Sequence, residues 1–224
     1  MSSKTKGKTD QRKSAAPPPA RVHRARVRTR NALLEAGQRL FATKPLEGVS
    51  IDDIVAAADV AKGSFYNHFP DKEGLAGAIV EFVQQDVEQE IALANGNVAD
   101  AASRVTRALA VIINYAQCHP DRIQAMVNLT KRRTNPEAPL NAGVASDIRS
   151  GLRSGRFSAV TLEAGVLVVL GLISVTVHHV MTAEATTRPK ELAGQMGAAI
   201  LRSLGMPADE SSRVARQASA DLLT

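Results

Sequence analysis

Five polar side chains that can donate hydrogen bonds lie within seven consecutive residues near the middle of the N-terminal half. They are Lys62, Ser64, Tyr66, Asn67 and His68. An ammonium, an amide and several hydroxyls on one short helix can reach base edges in the major groove of DNA and phosphate beside it. The alternative is an ordinary solvated surface. The density of these groups on residues 62–68, called here the reader segment, favours contact with DNA.

The residues before the reader segment predict the helix-turn-helix that would position it. Ser50 can cap a helix by accepting an orphan backbone N–H, and Asp53 suits the positive end of that helix. Apolar residues recur along it at helical spacing: Ile51, Ile54, Val55 and Ala58. Asp59 tolerates left-handed backbone, which suits the turn. Val60 and Phe65 then return to the core, so the polar side of the second helix faces outward.

Fixed positions on both sides of this segment agree with a known family. They are Arg30-x-x-Leu33-Leu34-x-Ala36, Leu40-Phe41, Ser50-Ile51-x-x-Ile54 and Val60-x-Lys62-Gly63-x-Phe65-Tyr66-x-His68-Phe69-x-x-Lys72-Glu73-x-Leu75. This stretch, residues 28–79, resembles the tetracycline-repressor (TetR) family. Pro45 and Asp59 stand where members usually carry Gly, but both are turn positions with compatible chemistry. Outside the stretch, the resemblance is limited to an all-helical pattern and the length.

The resemblance implies a set of DNA-contacting residues: Arg28, Arg30, Ser50, Lys62, Gly63, Ser64, Tyr66, Asn67, His68 and Lys72. Lys62, Ser64 and Asn67 would reach base edges. Tyr66 would meet phosphate or a thymine methyl, and His68 and Lys72 would meet phosphate. Gly63 would remove a side chain where the helix approaches DNA. Several members place a DNA contact at the position of Asp52, but an acid is repelled by phosphate, so we assign no contact to it.

The positive charge of the chain is concentrated at its N-terminus. Of a net charge of +6, residues 1–30 carry +9, so residues 31–224 carry −3. Such a basic, proline-containing stretch predicts a disordered tail, which either solubilises the protein or follows the phosphates beside the reader segment. We divide the chain into a basic tail (1–23), a helix-turn-helix domain (24–72) and an effector-binding and dimerisation domain (73–224). The first helix is expected from about Arg24 to Thr43.

The third region predicts a helical bundle with a small-molecule pocket. Asp71 can cap a long helix from Lys72 to Ala94, with Phe82 on its inward side. A second helix is expected to end near His119-Pro120, Asp121 to cap a shorter one, and residues 131–136 to form a loop. We expect the effector pocket to be formed by Phe82, Tyr115, Cys118, His119, Met126 and His178. The alternative is that the histidines and the thiol are ordinary core residues, which is their commoner role.

The run from Ala164 to Ala183 contains no Lys, Arg, Asp or Glu. It could span a bilayer by length, but Ser, Thr and His polarise its second half and no aromatic belt flanks it. A helix that is apolar all round must be buried on several sides, which a dimer can provide. The resemblance implies that this helix and the next form a four-helix bundle across a two-fold axis. The expected interface residues are Val166, Leu170, Ile173, Val177, Gly194, Gly197 and Ile200.

The helical pattern together with the TetR resemblance favours an all-α, homodimeric, cytoplasmic transcription regulator, and the resemblance implies a repressor that a small molecule releases from a palindromic operator. A DNA-binding architectural protein without an effector needs the same reader segment but no cavity. A helical enzyme is disfavoured because the sequence has no phosphate-binding glycine loop, no Gly-x-Ser-x-Gly and no metalloprotease helix. We expect no cofactor, no metal and no membrane partner. One cysteine, Cys118, excludes an internal disulfide.

Overall fold

The computed structural model describes residues 19–130, 139–182 and 186–223, which form ten α-helices and one 3-10 turn. The helices are α1 (Pro19–Thr43), α2 (Ile51–Ala58), α3 (Lys62–Tyr66), α4 (Lys72–Asn95), α5 (Ala101–Cys118), α6 (Pro120–Leu129), α7 (Pro139–Arg153), α8 (Leu162–Val180), α9 (Pro189–Ser203) and α10 (Ala208–Leu222), and the 3-10 turn is Leu46–Gly48. The described residues contain no strand. The all-α fold class is therefore confirmed.

Helices α1 to α3 form a helix-turn-helix unit that the predicted local devices hold. The Ser50 hydroxyl accepts from the Asp53 backbone N–H at 3.1 Å, and the Ser50 backbone N–H donates to the Asp53 carboxylate at 2.9 Å, which is a capping box. Asp59 ends α2 in the left-handed region, with φ 53°. Asp71 caps α4 by accepting from the Gly74 N–H at 2.7 Å. The core beneath is fully buried: Leu33, Phe41, Ile54, Phe65 and Leu75.

Helix α5 is the centre of the C-terminal domain. It packs against α4, α6, α7, α8, α9 and α10, and its residues Val105, Leu109 and Ile113 are buried. Helix α4 belongs to both domains, since its first half packs on α1 and its second half on α5 and α6. A displacement in the C-terminal domain therefore has a continuous helix through which it can reach the helix-turn-helix.

Several boundaries differ from the sequence-based expectation. Helix α1 begins at Pro19, five residues earlier than predicted, so part of the expected tail is helical. The rest of that tail and the predicted loop at 131–136 lie outside the described residues. Asp121 does not cap α6, because His119 is the residue before the helix and Pro120 occupies its first position. Proline fits there because the first N–H of a helix has no intrahelical partner.

Candidate DNA interface and effector cavity

The polar side of the reader segment is open to solvent, as the sequence predicts. Lys62, Tyr66 and Asn67 are exposed, whereas Ser64 and His68 are half-buried. Phe65 anchors the segment from below, and its ring meets the edge of the Tyr66 ring with centroids 5.5 Å apart. This ring contact restrains the Tyr66 side chain, of which 53% of the surface remains exposed.

Gly63 has no structural reason to be glycine within this chain. A Cβ built at this position would have no heavy atom within 4 Å, and the residue lies in ordinary helical backbone. Because the packing of the chain does not require a glycine here, the space beside residue 63 is open to an external molecule. This observation fits the close approach of DNA that the family resemblance implies for Gly63.

An ion pair joins the two helices of the motif on the exposed side. The Lys62 ammonium lies 2.8 Å from the Asp52 carboxylate, and both side chains are more than half exposed. The hydrogen bond to Asp52 raises the pKa of Lys62. Asp52 therefore restrains the lysine that the sequence assigns to a base edge, which is a role that the sequence analysis did not predict for it.

The C-terminal end of the reader segment lies beside α1. Burial and the nearby charges of Arg26 and Arg30 lower the pKa of His68, which favours its neutral imidazole. The Arg30 guanidinium lies over the Phe69 ring, 5.5 Å from its centroid. Arg28 is exposed on the same helix. Arg26, Arg28 and Arg30 of α1 thus place positive charge at the flank of the reader segment.

Two of the residues predicted to contact DNA have hydrogen-bond partners within the fold. The Lys72 ammonium donates to the carbonyls of Leu46 at 3.0 Å and Val49 at 3.3 Å, so it ties α4 to the segment before α2. The Ser50 hydroxyl is occupied by the capping box, since it also donates to the Asp53 carboxylate at 2.6 Å. The structure thus gives Lys72 and Ser50 roles in the fold, and their contacts with DNA stay predictions.

A cavity of about 400 Å³ lies among helices α4 to α8. Its wall is mainly apolar, with a few polar groups, and it includes Thr130 just beyond α6. The lining residues are Gln84, Val87, Glu88, Ile91, Ala108, Ile112, Ile123, Met126, Val127, Thr130, Asn141, Val144, Leu170, Ile173, Ser174, Val177 and His178. This volume is within the range of roughly 300–1,000 Å³ that is typical of small-molecule sites.

Only two of the six predicted effector residues, Met126 and His178, line this cavity. Tyr115 is buried, but its hydroxyl donates to the Asp86 carboxylate at 2.7 Å, and burial raises its pKa to about 12. His119 packs against the Tyr115 ring, with centroids 4.7 Å apart. These side chains therefore belong to a polar contact between α4, α5 and α6 and not to the cavity.

Phe82 and Cys118 are also misplaced by the sequence analysis. Phe82 is 37% exposed, because the α4 face that carries it points outward, where the Arg122 guanidinium covers the ring at 5.2 Å from its centroid. Cys118 is exposed at the end of α5, so the alternative of a packed thiol is also wrong. No group of three or more His, Cys, Asp or Glu that could hold a metal ion occurs among the described residues.

The residues predicted for the dimer interface pack within their own chain. Leu170, Ile173 and Val177 line the cavity, and Val166 and Ile200 are fully buried. Gly194 and Gly197 allow α9 to approach α10 and α5 of the same chain. A Cβ on Gly197 would lie 3.0 Å from the Ala215 Cβ and 3.2 Å from a Thr106 methyl. A larger side chain at residue 197 would therefore disturb the packing of α9 on α5 and α10.

A different side of α8 is apolar and open. Leu167 is 41% exposed and Val175 is 64% exposed, and the exposed Gly171 lies between them one turn from each. The half-buried Leu192 and Met196 continue along the adjacent α9. We call these five residues the α8–α9 face.

Comparison with protein families covers both parts of the chain. The family described as "Bacterial regulatory proteins, tetR family" matches residues 33–79, and "Tetracyclin repressor-like, C-terminal domain" matches residues 100–217, which is more than half of the chain. The chain belongs to the TetR family. It is a helix-turn-helix transcriptional regulator, and its relatives are regulators rather than enzymes.

Curated relatives match this TetR-family protein over part of its length. It is 40% identical over 67 residues to the HTH-type transcriptional repressor DhaR of Mycobacterium sp. (strain GP1), which is 30% of this chain and 34% of that protein. It is 34% identical over 71 residues to the HTH-type transcriptional repressor KstR2 of Rhodococcus jostii (strain RHA1), 32% of this chain and 35% of that protein. The chain thus spans about a third of the length of these two relatives.

Solved structures match the fold over most of the chain. A TetR-family regulator from Shewanella sp. PV-4 has a TM-score of 0.68 at 20% identity and covers 80% of this chain and 99% of its own. A γ-butyrolactone receptor has a TM-score of 0.65 at 19% identity, covering 88% and 97%. RolR with resorcinol has a TM-score of 0.57 at 22% identity, covering 86% and 95%. At these identities the likeness shows the TetR fold alone.

The family assignment also explains the charge-free helix of the sequence. Helix α8 is long and apolar enough to cross a membrane by length and composition. It lies inside the region that matches the C-terminal domain of the family and packs against α5, α7 and α9. We therefore interpret it as a helix that packs on one side within that domain and on the other carries the open α8–α9 face.

Four of the cavity residues that the sequence analysis missed lie on α4. Gln84, Val87, Glu88 and Ile91 occupy one face of this helix at spacings of three, one and three residues. The sequence contains this spacing, but the apolar stripe formed by Leu75, Ile79 and Val83 on the same helix is the more prominent pattern. The lining residues of α8 also share one helical face, but this helix is apolar on every side, so the sequence does not show which face meets the cavity.

Proposed function

We propose that this TetR-family regulator is a cytoplasmic repressor that binds a palindromic operator as a homodimer and is released when a small molecule occupies the cavity between α4 and α8. The observation that carries this proposal is that α4 and α6, which form part of the cavity wall, also pack against α1 of the DNA-binding domain. The curated relatives DhaR and KstR2 are repressors, which supports the sign of regulation.

The reader segment enters the major groove in this proposal. Lys62, Ser64 and Asn67 contact base edges, and Tyr66 contacts phosphate or a thymine methyl. The open space beside Gly63 admits the DNA backbone. Arg28 and Arg30, together with the basic residues before them, add contacts to phosphate that do not depend on sequence.

The α8–α9 face supplies the subunit contact. A contiguous exposed apolar patch marks an interaction site, and a two-fold axis would place the α8–α9 face against its own copy in the partner. Two reader segments would then be held at a fixed separation, which is the arrangement by which dimeric helix-turn-helix proteins read two half-sites.

Helix α6 gives the cavity a direct contact with the DNA-binding domain. Ile123, Met126 and Val127 line the cavity from α6, while the Asn128 amide of the same helix donates to the α1 carbonyls of Phe41 at 2.8 Å and Ala42 at 3.2 Å. A ligand that moves α6 would therefore move the end of α1. Ligand binding would favour a dimer whose reader segments no longer fit adjacent major grooves. The neighbours that carry resorcinol or are γ-butyrolactone receptors support a small-molecule role for this fold.

Operator affinity of reader-segment variants tests the DNA-binding part of the proposal. Tyr66→Ala and Asn67→Ala should each weaken operator binding by about 1–3 kcal/mol, or roughly 5- to 150-fold, if each contact is typical of specific recognition. The matched control is Asn97→Ala, which changes an exposed asparagine in the α4–α5 connection. Fluorescence anisotropy with an operator selected from genomic fragments measures the effect. Unchanged affinity in both folded reader variants would remove the reader segment from the DNA interface.

A further inference from the structure

Among the residues that the structure describes, the cavity wall offers a ligand no lysine or arginine. The ionisable ones among the lining residues are Glu88 and His178, whose side chains reach solvent. A carboxylate or phosphate transferred into this apolar space would lose its hydration without gaining a counter-ion, and Glu88 would repel it. The lining thus disfavours anionic ligands.

One polar atom of the wall is buried without a partner. The Gln84 side-chain nitrogen, Nε2, has almost no exposed surface and makes no hydrogen bond. Buried polar groups are nearly always paired, and leaving a donor unpaired is costly, so an orphan of this kind calls for an explanation. Gln84 lies on α4, beside the apolar Val87 and Ile91. The Gln84 nitrogen has almost no surface accessible from the cavity, so a rotation of the Gln84 side chain would bring it to an acceptor atom on a bound molecule, while the rest of that molecule covers the apolar wall.

We propose that the effector is an uncharged, mainly apolar small molecule with a carbonyl oxygen that accepts a hydrogen bond from Gln84 Nε2. This inference rests on the proposed function, since it names the class of molecule that occupies the cavity. It assigns Gln84 as the residue that orients the ligand. Burial of the ligand's hydrocarbon against Ile112, Ile173 and Val177 supplies most of the affinity, and the single hydrogen bond selects neutral acceptors.

Pairs of probes that differ by one group test this class directly. The first pair is 2-nonanone and octanoate, and the second is 4-phenyl-2-butanone and 3-phenylpropanoate. In each pair the methyl group of a ketone is replaced by the negatively charged oxygen of a carboxylate, so shape is kept while charge changes. Titration calorimetry at pH 7 on the full chain should show that at least one ketone binds at least tenfold more tightly than its carboxylate. Tighter binding of the carboxylates, or binding of neither series, would overturn the proposal.

Variants of two neighbouring glutamines test the role of Gln84. Gln84→Leu keeps a similar volume but removes the donor, and should weaken ketone binding at least fivefold while leaving the thermal midpoint of the empty protein unchanged or higher. The matched control, Gln85→Leu, changes an exposed residue of the same helix whose amide donates to Glu81. It should leave ketone binding unaltered. Equal ketone affinity in wild type and Gln84→Leu would show that the orphan amide does not recognise the ligand.

Operator binding in the presence of the same probes separates this inference from the proposed function. If a ketone binds through Gln84 but does not lower operator affinity, the ligand class stands and the proposed effector mechanism fails. If a carboxylate binds more tightly than its ketone and releases operator, the effector mechanism stands and the ligand class fails.

Discussion

Replacing Val175 with aspartate should dissociate the proposed dimer without unfolding the subunit. The side chain is 64% exposed in the single chain, so most of its surface is available for burial by a partner. Full burial of a valine stabilises by about 1.5–3 kcal/mol, so roughly two thirds of that, about 1–2 kcal/mol, can come from each copy. Two copies meet per dimer, which gives about 2–4 kcal/mol, or a decrease of roughly 30- to 700-fold in dimer affinity. A carboxylate buried near its symmetry mate would weaken the dimer further.

Sedimentation equilibrium measures this change, and circular dichroism checks that the helices and the thermal midpoint are retained. Leu93→Asp is the matched control, because Leu93 is also an apolar helical residue, is 77% exposed and lies outside the α8–α9 face. It should leave the dimer dissociation constant unchanged. If Val175→Asp dimerises as tightly as wild type, the α8–α9 face is not the subunit interface and the reasoning from exposure is refuted.

Four further predictions concern the tail, the reader segment, the coupling and the polar network. Deleting residues 1–18 should lower affinity for all DNA sequences alike and reduce the log–log salt slope by about 0.9 for each phosphate that the shortened chain no longer neutralises; an unchanged slope would show that these basic residues do not touch DNA. Asp52→Asn should strengthen binding to unrelated DNA measured by anisotropy, because it frees the Lys62 ammonium, and equal affinity for random DNA would contradict this. Asn128→Ala should retain ligand binding by calorimetry but reduce the ligand-induced fall in operator affinity, since it removes the hydrogen bonds from α6 to α1; an unchanged fall would exclude these hydrogen bonds from the coupling. Burial raises the pKa of Tyr115 from about 10 to about 12, so the unfolded chain loses this proton at lower pH than the folded chain, and the free energy of unfolding should fall as pH rises from 10 to 12. Chemical denaturation of Tyr115→Phe should show a smaller fall over this pH range. An equal fall in wild type and variant would assign the pH dependence to other groups.

The helix-turn-helix could be predicted from sequence because its determinants are local. The Ser50 cap, the left-handed Asp59 and the Asp71 cap each depend on residues within one helical turn, and all three are present. The apolar spacing of α2 likewise determines which side is buried. The outward polar side of the reader segment follows from the position of Phe65.

The faces of α8 could not be predicted, because the helix is apolar on every side and has no periodicity that distinguishes core from interface. Residues expected at the interface, such as Ile173, line the cavity, and the open side carries Val175. The cavity could not be predicted from local sequence patterns either, because residues from five helices contribute to its wall. Phe82 was misplaced because a large aromatic residue is expected inside, whereas here a cation–π contact with Arg122 covers it at the surface.

Selection of genomic DNA fragments by the purified full-length protein, followed by footprinting of the enriched fragments, tests the central claim most directly. If the chain is a dimeric operator-binding regulator, the fragments should share an inverted repeat, with half-sites about one helical turn or a small multiple of it apart. Protection should cover both half-sites, and Tyr66→Ala should abolish the enrichment. Recovery of fragments with no shared sequence, or protection of a single half-site, would contradict the account.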